Sequence, residues 1–349
     1  MKGQNEVVLQ SSVEKVAEGE SLWVKSWNRF RRHRLAMMGV IVIIVLALLA
    51  IFAPLLSPYS PYELNLPDRV SPPNLKHWLG TDGTGRDLWT RLLLGGRVSL
   101  SVGLVAVSIS MTIGVVLGGL SGYFGGRVDM IIMRITDTVM CFPSLIIIIT
   151  LVAVVGPSIY NSMLAIGLLG WPGTARIVRG QFLYLREQAF VEAAKCLGIP
   201  PLRIIFAHIL LNAIGPVVVA ATFGVASAIL MEAALSFLGL GVQIPTPSWG
   251  NMLQEARPLT ILEQQPWMWV PPGAMIVVSV LSINFIGDGL RDAADHQAAG
   301  ERPGLRRQIA HRGHGEPRFL QRLAAYRGLD RLAGLHEAGD AAREDRGIA

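Results

Sequence analysis

The stretch with the clearest outward likeness to a chemical motif is GTDGTGRD, Gly80 to Asp87, whose glycine spacing is that of a phosphate-binding loop. Such a loop needs a lysine for the phosphates and a hydroxyl for magnesium, and Arg86 and Asp87 occupy those places here. The stretch is therefore not read as a nucleotide site. No other segment offers a better one, so the chain is not expected to hydrolyse ATP by itself. His311 and His314, in HRGHGE, lack a cysteine or acid at a helical spacing that would complete a metal set. No Ser/His/Asp or Cys/His arrangement can be argued from spacing, and Cys141 and Cys196 fall in an apolar run and a polar segment, which excludes a disulfide framework. The reading is a non-enzyme with no catalytic group, no metal and no cofactor.

Charges inside apolar runs carry more information, because a charge in hydrocarbon is costly unless it is paired or faces water. Arg134 and Asp137 stand at i and i+3, where they can neutralise each other on one helix face as a structural ion pair; a direct transport role is the alternative. Glu232, in LMEAALSFLGLG, has no local cation, and it is a candidate for a polar pathway or gate, with a packing or interfacial role as the other reading.

The elements that hold these residues follow from composition. The chain has 349 residues, of which 51% are hydrophobic and only 16% charged, and its mean hydropathy is +0.45. That is too apolar for a soluble protein of this length, so the bilayer is the expected solvent. The net charge of +6 does not point to nucleic acid, since the N-terminal basic residues directly flank an apolar run. Six runs are long enough to be spans: Leu35–Leu56, Val98–Leu120, Ile131–Val155, Ile159–Ala175, Ile214–Leu238 and Trp269–Ile286. The first is read as a retained anchor, because FAPLLSPYSPY and not a small-residue cleavage site follows it. Lys25, Arg29, Arg31, Arg32 and Arg34 before it place the N-terminus in the cytoplasm, and six crossings return the C-terminus there. Arg176, Arg179, Arg186, Lys195 and Arg203 then fall in one cytoplasmic connection, whereas Arg69, Lys76, Arg86 and Arg91 fall outside and obey the rule less well.

Gly114, Gly118 and Gly122 recur every four residues and predict a helix seam of close approach. Pro143, Pro157 and Pro172 predict irregularity in the third and fourth runs.

Between the fourth and fifth runs lies FVEAAKCLGIPPLRIIFAHILLN, Phe190 to Asn212. Helical spacing puts Phe190, Ala193, Ala194 and Leu197 on one face, with Glu192 and Lys195 elsewhere. Gly198 is a helix stop, and Pro200–Pro201 begin a second helix with an apolar face of Leu202, Ile205, Phe206 and Ile209. An amphipathic pair pinned by spans on both sides fits docking to a protein better than lying on lipid.

The residues EAAKCLG match the EAA loop of ABC importer permeases, and the chain resembles the dipeptide/oligopeptide/nickel subfamily in its C-type member. HWLGTDGTGRDLWTRLLLGGRVSLSVG, LREQAFVEAAKCLG, EAALSFLGLGVQIPTPSWGNML and FIGDGLRDA carry the likeness, which spans about Trp27 to Ala293. It implies an all-α integral membrane protein of the type I ABC importer permease architecture, with six transmembrane helices and EAA-loop coupling helices. It also implies that Phe190, Glu192, Ala193, Ala194, Leu197 and Gly198 engage an ATPase, which leaves an ATP-independent secondary transporter or channel as the alternative. The implied partners are a homologous B-type permease, two cytoplasmic ATPase subunits and an external solute-binding protein, in a bacterial inner membrane and without nucleic acid. The substrate, whether dipeptide, oligopeptide, nickel chelate or another solute, is not readable.

The expected organisation is a cytoplasmic segment 1–34, a first span 35–56, an external segment 57–96, a permease core 97–293 with coupling loop 176–212, and a tail 294–349. Where the family carries proline within His-Ile-Leu-Pro-Asn, this chain has Leu211, so the turn after the coupling helices must form without it. The tail loses the family pattern, and its Arg-, Ala- and Gly-rich composition fits disorder, one marginal helix or a shifted reading frame.

Overall fold

In the computed structural model, residues 22–300 are described, with side chains from 27 to 294. The tail beyond them, including His311 and His314, and the first residues of the N-terminal segment lie outside the described residues. Within them the chain is helical, with no strand beyond a single bridge between Thr81 and Asp87.

The elements are α1 (Leu22–Arg32), α2 (Arg34–Ile51), α3 (Leu88–Phe124), α4 (Gly126–Met140), α5 (Ser144–Val155), α6 (Ile159–Leu185), α7 (Ala189–Cys196), α8 (Pro201–Asn212), α9 (Ile214–Phe237), α10 (Trp249–Glu255), α11 (Leu259–Gln264) and α12 (Pro266–Gly300).

The packing is organised by α3 against α6. A Cβ on Gly114 would lie 2.6 Å from Thr174 Cβ, one on Gly118 2.5 Å from the Ala175 carbonyl oxygen, and one on Gly122 2.5 Å from Phe182 Cβ. The four-residue glycine repeat thus lets α6 lie directly on the α3 backbone, where any side chain would separate them. The α9 helix closes the other side of α3, with Val102, Ala106, Ala228 and Leu235 in one buried cluster. On the outside, α2 meets α12 where Gly39 faces the Ser282 carbonyl and Gly289 faces Ala36.

Each of the six apolar runs lies on helix, but they are not equivalent. The helices α2, α3 and α9 and the Pro266–Ala294 part of α12 are long and apolar enough to cross a membrane. The third run is broken: α4 and α5 meet at 80°, and count as a fifth crossing only if taken together. Pro143 is the reason, since it has no N–H to continue the α4 ladder and it becomes the N-cap of α5. The fourth run continues as helix through Pro172, contrary to the expected irregularity there. With 27 residues α6 is long enough to span, but its Gly, Thr, Trp and Pro residues, many turned toward α3, lower its hydropathy.

Candidate coupling surface

From the last turn of α6 the chain turns at Gln188 and enters α7. The turn that ends α7 has a defined chemistry. Gly198 takes φ +71°, its N–H donates to the Lys195 carbonyl at 3.0 Å, and the Ile199 N–H donates to the Ala194 carbonyl at 3.1 Å. This reciprocal pair of bonds satisfies the last carbonyls of the helix and needs a left-handed residue, which glycine supplies without strain. Pro200 and Pro201 then start α8 where missing N–H groups cost nothing.

The α7–α8 unit is fixed to the bundle by an apolar cluster: Val191, Ala194, Ile204, Ile205 and Ile209 bury against Val178 and Phe182 of α6. The sequence-expected faces are corrected in part. Ala194 points inward with Val191, whereas Phe190, Ala193 and Leu197 stay outside. An eight-residue helix with two apolar faces does not announce which one its own chain covers. In α8 the corrected member is Ile204, which is buried in place of Leu202 and Phe206. The cause is a π-helical stretch, Ile204–Ile209, in which the Leu210 N–H donates to the Ile205 carbonyl, so that residues five apart share a face.

The outward surface is therefore apolar with charges interspersed. Leu197 is 79% exposed, Leu202 59%, Phe206 44% and Phe190 39%, with Glu192, Lys195 and Arg203 among them. Lys195 also reaches back to the Tyr123 ring, 5.9 Å from its centroid. Leu211 is exposed, and the chain breaks at Ala213 without the family proline, the Ala213 N–H bonding the Ile209 carbonyl at 3.0 Å.

Polar contacts pin the neighbouring helix ends. Arg179 of α6 grips Asp129 of α4 through two nitrogens, the second at 2.6 Å, and Ser121 of α3 donates to the same carboxylate. Arg186 donates to the Gly122 carbonyl at 3.1 Å. The pairings of Arg179 with Asp129 and of Arg186 with Gly122 carried no sequence signal, because the partners lie 50 and 64 residues apart in the chain. The expected pairing of Arg134 with Asp137 is not formed: Asp137 accepts instead from Arg176 of α6, at 2.6 Å. Both candidates are arginines, so the choice is set by the packing of α6 beside α4, which brings Arg176 to the Asp137 carboxylate.

At the opposite end of α3, GTDGTGRD builds a lattice of ions instead of a phosphate loop. Asp82 receives Arg86 and Arg91, each at 2.7 Å, and both arginines continue to Glu255 of α10, at 2.9 and 2.8 Å. Burial raises the Asp82 carboxyl, but the Arg91 charge and the hydrogen bonds from Thr84 and the Arg86 N–H outweigh it and hold it below the usual carboxylate range. Asp87 caps α3 by accepting from the Thr90 N–H at 2.8 Å and bonds His77 at 2.9 Å. Close by, Glu232 is fully buried, with Ser99 donating at 2.9 Å and Ser236 at 2.7 Å. Ser99 in turn accepts from the Trp249 N–H, so Glu232 joins α9, α3 and α10, and it lines neither the cavity between α2, α3, α9 and α12 nor the one at the α4–α5 break. Among the described residues no group of three His, Cys, Asp or Glu is placed to hold a metal.

With this geometry in hand, comparison with known proteins is specific. Residues 114–299 match the family described as binding-protein-dependent transport system inner membrane component, and residues 21–73 match the N-terminal transmembrane domain of oligopeptide transport permease C. The dipeptide transport system permease protein DppC of Alkalihalophilus pseudofirmus is 45% identical over 275 residues, 79% of this chain and 90% of that protein. The oligopeptide transport system permease proteins OppC of Bacillus subtilis and Haemophilus influenzae are 42% and 40% identical, covering 79% and 80% of this chain and 90% and 89% of theirs.

Proposed function

Because this chain belongs to the family of binding-protein-dependent transport inner-membrane components, we propose that it is a permease subunit of an ATP-driven importer for peptides or related small solutes, with the outward face of α7–α8 as its ATPase contact. The chain is an all-helical, multi-span inner-membrane protein. In our reading it pairs with a homologous B-type permease, two cytoplasmic ATPase subunits and an external solute-binding protein. Both termini and α7–α8 lie in the cytoplasm, in accord with the basic flank before α2 and the basic connection around α7.

The observation that carries the ATPase contact is the two-sided construction of α7–α8. Its inner face interlocks with Phe182 and Val178 of α6, and among the described residues its outer face leaves Phe190, Leu197, Leu202 and Phe206 exposed. An exposed apolar patch rimmed by charges is the signature of a protein contact. Closure of the ATPases on ATP displaces such a patch, and the displacement passes through Val191, Ala194 and Ile205 into α6. The glycine seam then carries it to α3, since a packed core transmits a shift instead of absorbing it. Catalysis belongs to the partners in this scheme. The ATP-independent alternative has no observation that favours it.

Co-purification tests the contact. Phe190→Asp combined with Leu197→Asp should leave this subunit in the membrane with its permease partner but free of ATPase subunits. Retention of the ATPases by the double variant counts against α7–α8 as their seat.

A further inference from the structure

We infer that the end of α1 and the start of α2 form a binding surface for anionic phospholipid headgroups, with Arg29, Arg31, Arg32 and Arg34 as its cations and Trp27 as its interfacial anchor. The inference goes beyond transport and uses only the membrane setting of α2.

The surface begins in the sequence. LWVKSWNRFRRHR, Leu22 to Arg34, holds five Lys and Arg residues and no acid, and its aromatic residues are interleaved with them. A basic helix with an aromatic stripe is the pattern that settles at a membrane surface. Folding then fixes one end of it. Phe30 is buried with Ala36 of α2 and Ala293 of α12, and a Cβ on Gly289 of α12 would lie 3.2 Å from its ring. At His33 the backbone is extended, with φ −79° and ψ 97°, which separates α1 from α2. The His33 Nδ1 accepts the Ala36 N–H at 3.1 Å, and its Nε2 lies 3.7 Å from Asp292 of α12. The junction is thus held in place before any ligand arrives.

What it presents outward is unneutralised. Arg29, Arg31, Arg32 and Arg34 are all exposed, and among the described residues none of their side chains has an ion-pair or hydrogen-bond partner. Guanidinium groups gathered within six residues repel one another unless an anion lies among them. Beside them Trp27 is 58% exposed, although its ring stacks on Phe30 with centroids 5.9 Å apart.

The occupant follows from α2. Its exposed Leu35, Met38 and Ile41 continue from the arginines along a helix of hydropathy 2.8 that is long enough to span. A protein helix packed there would supply aliphatic contacts, but not counter-ions for four arginines at one end. A bilayer supplies both in the observed order, acyl chains along α2 and phosphates at its end. The guanidinium fork matches phosphate oxygens in pairs, and an indole favours the headgroup depth. Clustered Lys and Arg next to a span select anionic lipid over zwitterionic lipid.

Trp27 reports the site. The transporter is reconstituted with its partner subunits into phosphatidylcholine vesicles carrying the same mole fraction of either dibrominated phosphatidylglycerol or dibrominated phosphatidylcholine, brominated at the same acyl carbons. The Trp27 signal is the emission of the parent minus that of Trp27→Phe. Bromine quenches by contact, and both leaflets carry it, so the result does not depend on the side on which α1 lies. Quenching of this signal should be about twofold stronger or more with phosphatidylglycerol, and raised salt should remove the difference. Arg29→Gln combined with Arg32→Gln should make the two lipids quench alike, while Lys25, Arg31 and Arg34 remain to set topology. Equal quenching by the two lipids in the parent, or none by either, which would place Trp27 against protein, overturns the inference. If the double variant does not assemble, the parent at low and high salt still decides.

Discussion

The Ile199 amide donates to the Ala194 carbonyl at 3.1 Å across Gly198, and this one bond sets the angle between the two short helices that present the coupling surface. Gly198 has nothing within 4 Å of the position a Cβ would take, so its constraint is purely conformational. Left-handed backbone costs an ordinary L-residue about 1–2 kcal/mol, with Asn better tolerated. Gly198→Asn is therefore expected to keep ATP-driven uptake near the parent rate. Gly198→Val should lose most of it at unchanged membrane level, as read by uptake into proteoliposomes; equal uptake by the two variants refutes the role of the bend.

The α3–α6 seam makes a prediction about assembly. Gly118→Val places carbon where the Ala175 carbonyl oxygen would be 2.5 Å away and Val178 Cβ 2.9 Å away. Overpacking of this kind costs roughly 1–3 kcal/mol or more, so less folded protein should survive detergent extraction. Gly180→Ala, on the partner helix α6 but with open space around it, should be neutral or slightly stabilising, by up to about 1 kcal/mol from helix propensity. Thermal unfolding of the two purified variants measures both effects.

The Asp82 lattice predicts a pH dependence. The folded-state carboxyl is lowered, so its contribution to stability is complete above the ordinary carboxylate value near ~3.9 and is lost as the pH falls below it, through the lower folded value. Asp82→Asn leaves the buried Arg91 with Glu255 as its remaining charge partner, and removing one member of a buried ionic group costs up to about 3–5 kcal/mol. The variant should melt well below the parent at pH 7, and the gap should narrow toward pH 3. A melting temperature equal to the parent's at pH 7 contradicts the lattice as a structural clamp.

Glu232 separates two readings of a buried acid. As a junction of α9, α3 and α10 held by Ser99 and Ser236, it needs hydrogen-bonding oxygen more than charge. Glu232→Gln keeps one oxygen and the shape, and uptake is expected within about twofold of the parent, whereas Glu232→Ala opens a cavity beside two stranded hydroxyls and should lower stability by about 2–4 kcal/mol. Abolished uptake in a stable Glu232→Gln protein supports a gate instead.

Local rules made part of this fold readable and long-range pairing hid the rest. The glycine repeat of α3, the break at Pro143 and the stop at Gly198 each follow from what one residue type permits, so spacing alone located them. The face of α7 was not readable, because Val191 with Ala194 and Phe190 with Leu197 are both apolar stripes and only the packing of Phe182 chooses between them. The π-helical stretch rotated α8 for a reason that the 3.6-residue period does not contain. Asp137 found Arg176 and Arg91 found Glu255 because α6 and α10 fold back beside α4 and α3, and sequence separations of 39 and 164 residues give no local hint of it.

The central claim is that ATPase motion enters this subunit through the outer face of α7–α8. Leu197 is 79% exposed and Glu192 is exposed beside it, so Leu197→Asp and Glu192→Lys change that face without disturbing the inner contacts of Val191 and Ala194. The decisive measurement is ATP-driven solute uptake by transporter reconstituted with each variant, normalised to the amount of assembled permease pair in the same vesicles. The account predicts that uptake falls by an order of magnitude or more, about the effect of losing 1.4 kcal/mol or more at a contact centre, while the permease pair stays assembled. Parent-level uptake by both variants, at equal assembly, contradicts it.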